Sequence, residues 1–391
     1  MEINNVEKPL MDIVTIGGGK VEIFDGERKY LSTGNLDYNR ISDLDMVTYE
    51  TKPSRASQNV QINDVLFAKM KDTKKTLIIN SDNEDIIVSS GFYVLRPQST
   101  LNSRYLYHFL NSEGFLRKKN LECKGATQKA LNDSGLRKIN IFLPSLEVQQ
   151  KIANTLDKAQ ELIDKRKEQI KDLDDLTQSV FYDMFGELLR NSKEWKSLAG
   201  CLISIENGKS FVCENFSRKG TYPAILKLSA VTYGYFQEDE NKALIKSEDF
   251  VASVEVKSGD LLLTRKNTPE LVGMAAYIEQ TKPNLMMPDL IFRLNPTQHL
   301  NKIYLWKLIN CDFFRGEIRA LATGSAKSMS NISKQRLMDL KIPLPPLDLQ
   351  NQFAEIVKNI EKQKALLKTS LKELETNFDS LMQRAFKGEL F

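Results

Sequence analysis

The sequence predicts an α+β protein. Two globular mixed α/β parts are joined by two long helices that pair as an antiparallel coiled coil, and the whole is a pseudo-twofold internal repeat. Three observations predict it. First, a stretch free of Pro and Gly runs from Pro144 to Gly186 and recurs from Pro346 to Gly388. The copies match at an offset of 201 residues, with Pro144 on Pro345, Gln149 on Gln350, Ala153 on Ala354 and Phe185 on Phe386. Prolines followed by an unbroken run are a helix start signal. Second, apolar residues inside each copy alternate four-three steps, the spacing of a coiled-coil seam. Third, the sequence ahead of each copy consists of short apolar or alternating runs bounded by turn residues, the pattern of short strands.

In chain order, Val21–Phe24, Gln61–Met70, Thr76–Ile79, Ile86–Val88 and Phe92–Leu95 read as strands. They lie between Gly17-Gly18-Gly19, Asn63-Asp64, Ser81-Asp82-Asn83 and Pro97. The second half echoes two of them. Gly259-Asp260 leading into Leu261 to Arg265 answers Asn63-Asp64 leading into Val65 to Lys69, and Phe292 to Pro296 answers Tyr93 to Pro97. A helical stretch from Leu101 to about Leu121 recurs from Leu300 to Leu321 at an offset of 199. A glycine-containing loop follows, then a short strand, Ile139–Leu143 or Leu340–Leu344, which leads into the prolines.

The first long helix places Ile152, Leu156, Ala159, Ile163, Ile170, Leu173, Val180 and Met184 on the seam, interrupted by Arg166 and Thr177. The second places Phe353, Val357, Ile360, Leu367, Leu371, Leu374, Phe378, Leu381 and Ala385 there, interrupted by Lys364. At ~1.5 Å per residue, each helix is about 60 Å long. The expectation is that the copies pair with each other; packing of each helix on its own globular part is the alternative. The parts are bounded as residues 1–145 and 189–345 for the globular segments, and 146–188 and 346–391 for the helices.

With 391 residues, 41% of them hydrophobic, the chain can bury two or three cores. Cys123, Cys201, Cys213 and Cys311 show no CxxC spacing, so neither a zinc site nor a disulfide framework is expected, and a reducing cytosol fits. Neither a signal peptide nor a membrane span is expected. The net charge of +4 divides unevenly: +2 over residues 1–146, −3 over 147–190, +5 over 191–346 and zero over 347–391. The positive charge lies on the globular parts, which mildly favours a polyanionic ligand for them.

No catalytic or metal residues are expected. His108 and His299 stand beside aliphatic and aromatic residues and read as packing side chains. Gly208-Lys209-Ser210 lacks the P-loop glycine five residues upstream, where Ile203 stands. Pro288-Asp289 is not followed by the acidic and lysine residues of a nuclease motif.

The paired loops carry the best ligand chemistry. Lys124, Gly125, Thr127, Gln128 and Lys129 in the first are answered by Gly324, Ser325, Lys327 and Ser328 in the second, with Asn132 and Asn331 following. Glycine lets backbone N–H groups approach phosphate, lysine releases counterions, and Gln128 has the two-pronged amide that pairs with an adenine edge. Lys69 and Lys71, and Arg265, Lys266 and Asn267, end the predicted strands and suit the same contacts. Each of these side chains equally fits a solvated surface loop.

With these residues set out, the whole chain resembles the specificity subunits of type I restriction–modification systems. The resemblance rests on the duplicated frame: the glycine loop, the strand ending in Leu-Pro-x-Leu, then Glu147 with Gln149, or Asp348 with Gln350, opening a long helix. Tyr30 to Leu36 also resembles an early segment of the family's target-recognition domains, matched more loosely by Tyr222 to Leu228, which brings Ser32, Thr33 and Asn35 among the expected DNA contacts. The resemblance implies that each globular part reads one half of a split double-stranded DNA target. It implies that the helices space the halves and dock two modification (methyltransferase) subunits. Restriction (endonuclease and translocase) subunits complete the complex. S-adenosylmethionine, ATP and magnesium are then expected in those partners, and no cofactor in this chain. Two other classes stay open on the residues alone: an enzyme whose active site is not legible, and an adaptor that binds only protein. Within restriction–modification, a specificity-domain pair of another class is the alternative.

Overall fold

In a computed structural model the chain is described over residues 6–191, 195–323 and 329–391. Its contacts divide it into two units, Met1–Glu168 with Leu367–Phe391, and Gln169–Leu366, so the division falls inside both long helices.

The first unit is built on the run Val65–Ala68, buried along its full length. Because side chains alternate across a strand, Val65 and Phe67 enter a core with Leu10, Tyr105 and Phe115, while Leu66 and Ala68 enter another with Leu31, Val88 and Phe92. Asn63, at φ +72°, and Asp64 make the tight turn before it, where the Asp64 carboxylate accepts the Gln61 N–H at 2.9 Å and Arg96 Nε at 2.8 Å. The antiparallel sheet runs Val14–Ile16, Phe92–Pro97, Val65–Ala68, Thr76–Ile78. A second, mixed sheet runs Asp45–Val47, Arg28–Leu31, Ile87–Ser89, Ala56–Asn59, with Ile87–Ser89 parallel to Arg28–Leu31.

The second unit repeats this plan. Leu202–Asn207, Ile291–Pro296, Leu261–Thr264 and Ala275–Tyr277 form the antiparallel sheet in the corresponding order. Asn241–Ala243, Ala224–Leu226 and Leu285–Met286 form the other, again with one parallel pairing. The duplicated α+β architecture expected from the sequence is therefore present.

The helical stretch expected after the sheets is two helices in each unit, not one. Ser112 ends Ser103–Asn111 and caps Glu113–Glu122, its Oγ accepting the Phe115 N–H at 3.1 Å. Cys311 divides Lys302–Asn310 from Asp312–Ala320 in the same place. Periodicity cannot reveal this break, since the apolar pattern resumes after one extended residue. Asn102 and Asn301 cap the first helix of each pair, each side chain accepting two backbone N–H groups.

The long helices span Leu146–Arg190 and Leu347–Lys387. Each is fastened at its start by a glutamine with no exposed surface. Gln149 Nε2 donates to the carbonyls of Thr100 at 3.0 Å and Pro144 at 2.9 Å, and its Oε1 accepts the Asn102 N–H at 2.8 Å. Gln350 makes the corresponding bonds to His299 at 3.1 Å, Pro345 at 2.8 Å and Asn301 at 2.8 Å. The Glu/Asp-x-Gln signature is thus a polar latch between the helix start and the cap of the preceding helix pair.

The long helices pair antiparallel within each unit. In the first, Ile152 and Leu156 share a core with Met382 and Ala385, and Lys167 reaches Glu375 at 3.1 Å. In the second, Phe181, Phe185 and Leu189 share a core with Phe353, Ala354 and Val357. Aromatic rings at 4.9–5.5 Å join Phe185 to Tyr304 and both Phe181 and Phe185 to Phe353. Each buried Phe contributes about 1.5–3 kcal/mol. The polar seam positions are partnered: Lys364 meets Asp174 and Glu361, and the Thr177 hydroxyl donates to the Leu173 carbonyl at 2.9 Å.

Three expectations are corrected. Val180 and Met184 are only half-buried, and Phe181, Phe185 and Leu189 take the inner face, because the helix end covers the second unit's core as well as the other helix. Val21–Phe24 is not a strand: its backbone leaves the ladder after Lys20 pairs with Gln58, and Val21 and Phe24 cover a small satellite core instead. His299 is exposed and does not pack. Short, half-polar strands such as Arg28–Leu31 and Ala56–Asn59 carry too little alternation to be read from sequence.

Candidate nucleic-acid interface

Three segments of the first unit converge at one edge. The turn after Arg28–Leu31 is organised by Ser32, whose Oγ accepts the N–H groups of Gly34 at 3.1 Å and Asn35 at 3.3 Å. Thr33 accepts Lys75 Nζ at its carbonyl (2.8 Å), and its methyl group lies so close to Gly91 that a Cβ there would sit 2.9 Å from it. The Gly91 carbonyl in turn accepts the Lys69 N–H at 2.9 Å. Lys69 and Lys71 follow the central strand and pair with the chain leaving the glycine loop: the Leu131 N–H donates to the Lys69 carbonyl and the Lys71 N–H to the Lys129 carbonyl, both at 2.9 Å.

The loop itself is closed by reciprocal hydrogen bonds between Lys124 and Ala130 at 2.9 and 3.0 Å. Gly125 sits at φ +131°, and a Cβ there would lie 2.4 Å from the Gln128 carbonyl oxygen, so only glycine fits. Lys124, Gly125, Thr127, Gln128 and Lys129 are all exposed. Among the described residues, none of Lys69, Lys71, Lys124 and Lys129 has a carboxylate within ion-pair distance. The edge therefore offers four cations not neutralised by ion pairs, on a short β-bridged support.

Lys69 is held in a way the sequence did not announce. Its Nζ lies 4.4 Å from the centre of the Tyr93 ring, a cation–π contact. Burial lowers its pKa and the nearby Asp133 opposes that shift. The Tyr93 hydroxyl donates to Asp133 at 2.6 Å, and burial followed by this bond raises the tyrosine's pKa. An open groove lined by Lys69, Tyr93, Leu131, Asn132, Asp133 and Ser134 results.

The second unit has the same construction with different side chains. The Arg265 guanidinium lies 5.2 Å from the centre of the Phe292 ring and donates to Asn331 Oδ1 at 3.3 and 3.4 Å. Lys266, half-buried, lies in the strand Lys266–Asn267, which pairs with Ser330–Asn331. Asn267 is not available to a ligand, which corrects the expectation for it. It is buried, its Nδ2 donates to Thr232 Oγ1 at 3.1 Å and its Oδ1 accepts the Thr268 N–H at 2.9 Å, so it ties the segment after Ala224–Leu226 to this edge. Thr323 and Asn331 pair at 2.9 Å in both directions. Gly324, Ser325, Lys327 and Ser328 lie outside the described residues.

The ring beneath each cation was legible only as an aligned pair of strand residues, Tyr93 and Phe292; its partnership with Lys69 and Arg265 required the sheet. Other polar groups serve the scaffold. His108 is 2% exposed and lies 2.6 Å from Asp157, which Arg104 also neutralises; burial, helped by Arg104, pushes the imidazole down to about 3, so it is neutral at physiological pH. A Cβ on Gly208 would stand 2.1 Å from the carbonyls of Met287 and Pro288, and Ser210 Oγ donates to Asp289 at 2.5 Å, so the two rejected motifs pack on each other as one turn. Among the described residues, no cluster of three or more His, Cys, Asp or Glu could hold a metal, and no helix is long and apolar enough to cross a membrane.

Comparison with known proteins finds the duplication as two consecutive matches to one family. The family model of the type I restriction modification DNA specificity domain matches residues 2–172 and again 193–376. The specificity subunit of the type I restriction enzyme EcoKI from Escherichia coli (strain K12) is 24% identical over 390 residues, covering 92% of this chain and 82% of its own. The MjaVIII specificity subunit of Methanocaldococcus jannaschii is 22% identical over 360 residues and is covered to 82%, as is this chain. In structure, the S subunit of the type I restriction-modification system from M. genitalium matches at TM-score 0.56 and 15% identity, over 98% of this chain and 96% of that one. A chain solved with the complex assembly and conformational transition of the type I R-M system matches at TM-score 0.59 and 18% identity over 100% of both. At these identities the structural likenesses speak for the fold.

Proposed function

The chain belongs to the type I restriction–modification DNA specificity family, and we propose that each of its two globular parts reads one half of a bipartite double-stranded DNA target. Sequence recognition of DNA within a type I system is its role. Residues 1–145 and 189–345 are the two recognition domains, and the paired helices, 146–188 and 346–391, space the half-sites and carry the docking surface for two modification subunits. Restriction subunits join that assembly. The chain itself does no chemistry: methyl transfer with S-adenosylmethionine, and ATP- and magnesium-dependent translocation and cleavage, belong to the partners.

The observation that carries this reading is the repeated edge, a cation over an aromatic ring at the end of the central strand, Lys69 on Tyr93 and Arg265 on Phe292. Lys69, Lys71, Lys124 and Lys129 supply phosphate neutralisation, and Arg265 and Gln128 have the planar donors suited to base edges. Ser32, Thr33 and Asn35 border the first edge, and Lys266 borders the second. The test is replacement of residues 1–142 by a recognition domain from a relative, followed by methylation mapping with the assembled modification complex. One half-site changes and the other is retained. A change in both half-sites, or in neither, defeats the division.

A further inference from the structure

Two buried cations lack a carboxylate partner among the described residues, and neither takes part in the edges described above. Lys119 is 1% exposed and Arg315 is 6% exposed. Lys364, also buried, is paired with Asp174 and Glu361 and so differs from both. Burial pushes the Lys119 ammonium down to about 8 and the Arg315 guanidinium down to about 10. Placing an unpaired charge in such a position is costly, and a leucine or methionine would fill either site.

The cations occupy different repeat positions. Phe115 and Phe314 are equivalent at the offset of 199, yet Lys119 stands four residues after the first and Arg315 one residue after the second. Their targets are nevertheless the same. Lys119 Nζ donates to the carbonyl of Ala68 at 3.2 Å and to that of Thr73, gripping the loop between Val65–Ala68 and Thr76–Ile78. Arg315 donates to the carbonyls of Gly273 at 3.1 Å, Val272 at 2.8 Å and Glu270 at 3.2 Å, gripping the loop between Leu261–Thr264 and Ala275–Tyr277. Those loops begin with Lys69 and with Arg265. The Ala68 carbonyl belongs to the peptide that carries the Lys69 nitrogen. In the other unit the gripped loop folds back on Thr264, immediately before Arg265: the Gly273 N–H donates to the Thr264 carbonyl at 2.8 Å and Thr264 Oγ1 donates to Leu271 at 3.2 Å.

We infer that Lys119 and Arg315 are positioning residues for half-site recognition, each holding the strand-connecting loop of its own unit so that Lys69 or Arg265 is presented to DNA. The inference rests on the reading that these loops face DNA. Hydrogen bonds from a cation to carbonyls are stronger than neutral ones, and two different solutions converging on one loop indicate a requirement of the loop and not of the helix.

The test uses the full chain assembled with its modification subunits. Lys119→Met lowers discrimination at the first half-site by about tenfold, Arg315→Met does the same at the second, and each leaves the other half-site unchanged. Arg315→Met leaves the salt dependence of binding unchanged, because Arg265 is assigned to a base edge, whereas Lys119→Met lowers the slope by up to about one unit, because the Lys69 phosphate contact is lost with its loop. Lys119→Arg and Arg315→Lys restore part of the loss. Phe115→Leu, a core change on the same helix, lowers the melting temperature without changing discrimination. Should Lys119→Met not fold, Asn120→Ala releases the same loop, since Asn120 Oδ1 accepts the Asp72 N–H at 2.9 Å; it shifts the first half-site in the same direction by a smaller factor. Unchanged discrimination in both methionine variants, or an equal loss in Phe115→Leu, overturns the proposal. Lys69→Ala and Arg265→Ala separate the two levels. If they impair recognition while the methionine variants do not, only the positioning role fails; if they do not impair it either, the loops do not face DNA and the proposal falls with that reading.

Discussion

The two units agree in their frame and differ at their edges. Gln149 and Gln350 make three matching hydrogen bonds, Asn102 and Asn301 cap matching helices, and Tyr105 and Tyr304 both donate to the carbonyl of a residue just before a long helix, Phe142 at 2.6 Å and Pro343 at 2.9 Å. At the edges the plan survives but the atoms change: a lysine over tyrosine becomes an arginine over phenylalanine, while behind them a buried lysine is replaced by a buried arginine one turn away that grips the equivalent loop. The frame tolerates little change because its polar groups are buried and each serves several partners. The edge tolerates exchange because solvent or ligand can satisfy what a substitution leaves open. Two binding parts on one frame can therefore acquire different ligands without altering how either is held.

The strongest way to break this comparison is at the latch. Gln149→Leu strands the Asn102 N–H and the carbonyls of Thr100 and Pro144, and Gln350→Leu strands their counterparts. At about 1–3 kcal/mol per stranded buried group, the three groups put the loss in each variant at roughly 3–9 kcal/mol, and the two losses match. Urea unfolding followed separately in the two units measures this; losses that differ by more than about 2 kcal/mol show that the frame is not energetically duplicated.

A smaller effect is expected at Gly125. Alanine there meets both an unfavourable φ and the Gln128 carbonyl, a local cost of about 1–3 kcal/mol that the exposed loop relieves by rearranging. Affinity for the first half-site falls several-fold while the melting temperature barely moves. A large loss of melting temperature with affinity intact would make Gly125 part of the frame instead of the edge.

The smallest effects are at single lysines. Lys124→Ala and Lys129→Ala weaken binding across DNA sequences, and each reduces the salt-dependence slope by about one unit. Lys327→Ala tests the second loop in the same way. Slopes unchanged in all three place these loops away from the phosphates, and a change confined to one loop shows that the two edges engage DNA differently.

The sequence alone determined the duplication, the helix starts at the prolines, most of the four-three seam and the first glycine loop. Each is a local or periodic signal: a residue type with restricted backbone freedom, or an apolar spacing that one element must satisfy by itself. The division of the helical stretch at Ser112 and Cys311 was illegible, because a single extended residue leaves no mark on an apolar pattern. Asn267 was misjudged for a related reason, since an asparagine at a strand end reads as exposed until Thr232 is found against it. Only the tertiary structure decided which face of the first helix is innermost, which ring lies under which cation, and that Lys119 and Arg315 grip equivalent loops from unequal positions. These are relations between residues far apart in the chain, fixed by sheet order and helix packing. No spacing along the sequence encodes them, because the physical quantity at stake is the distance between side chains that only the fold brings together.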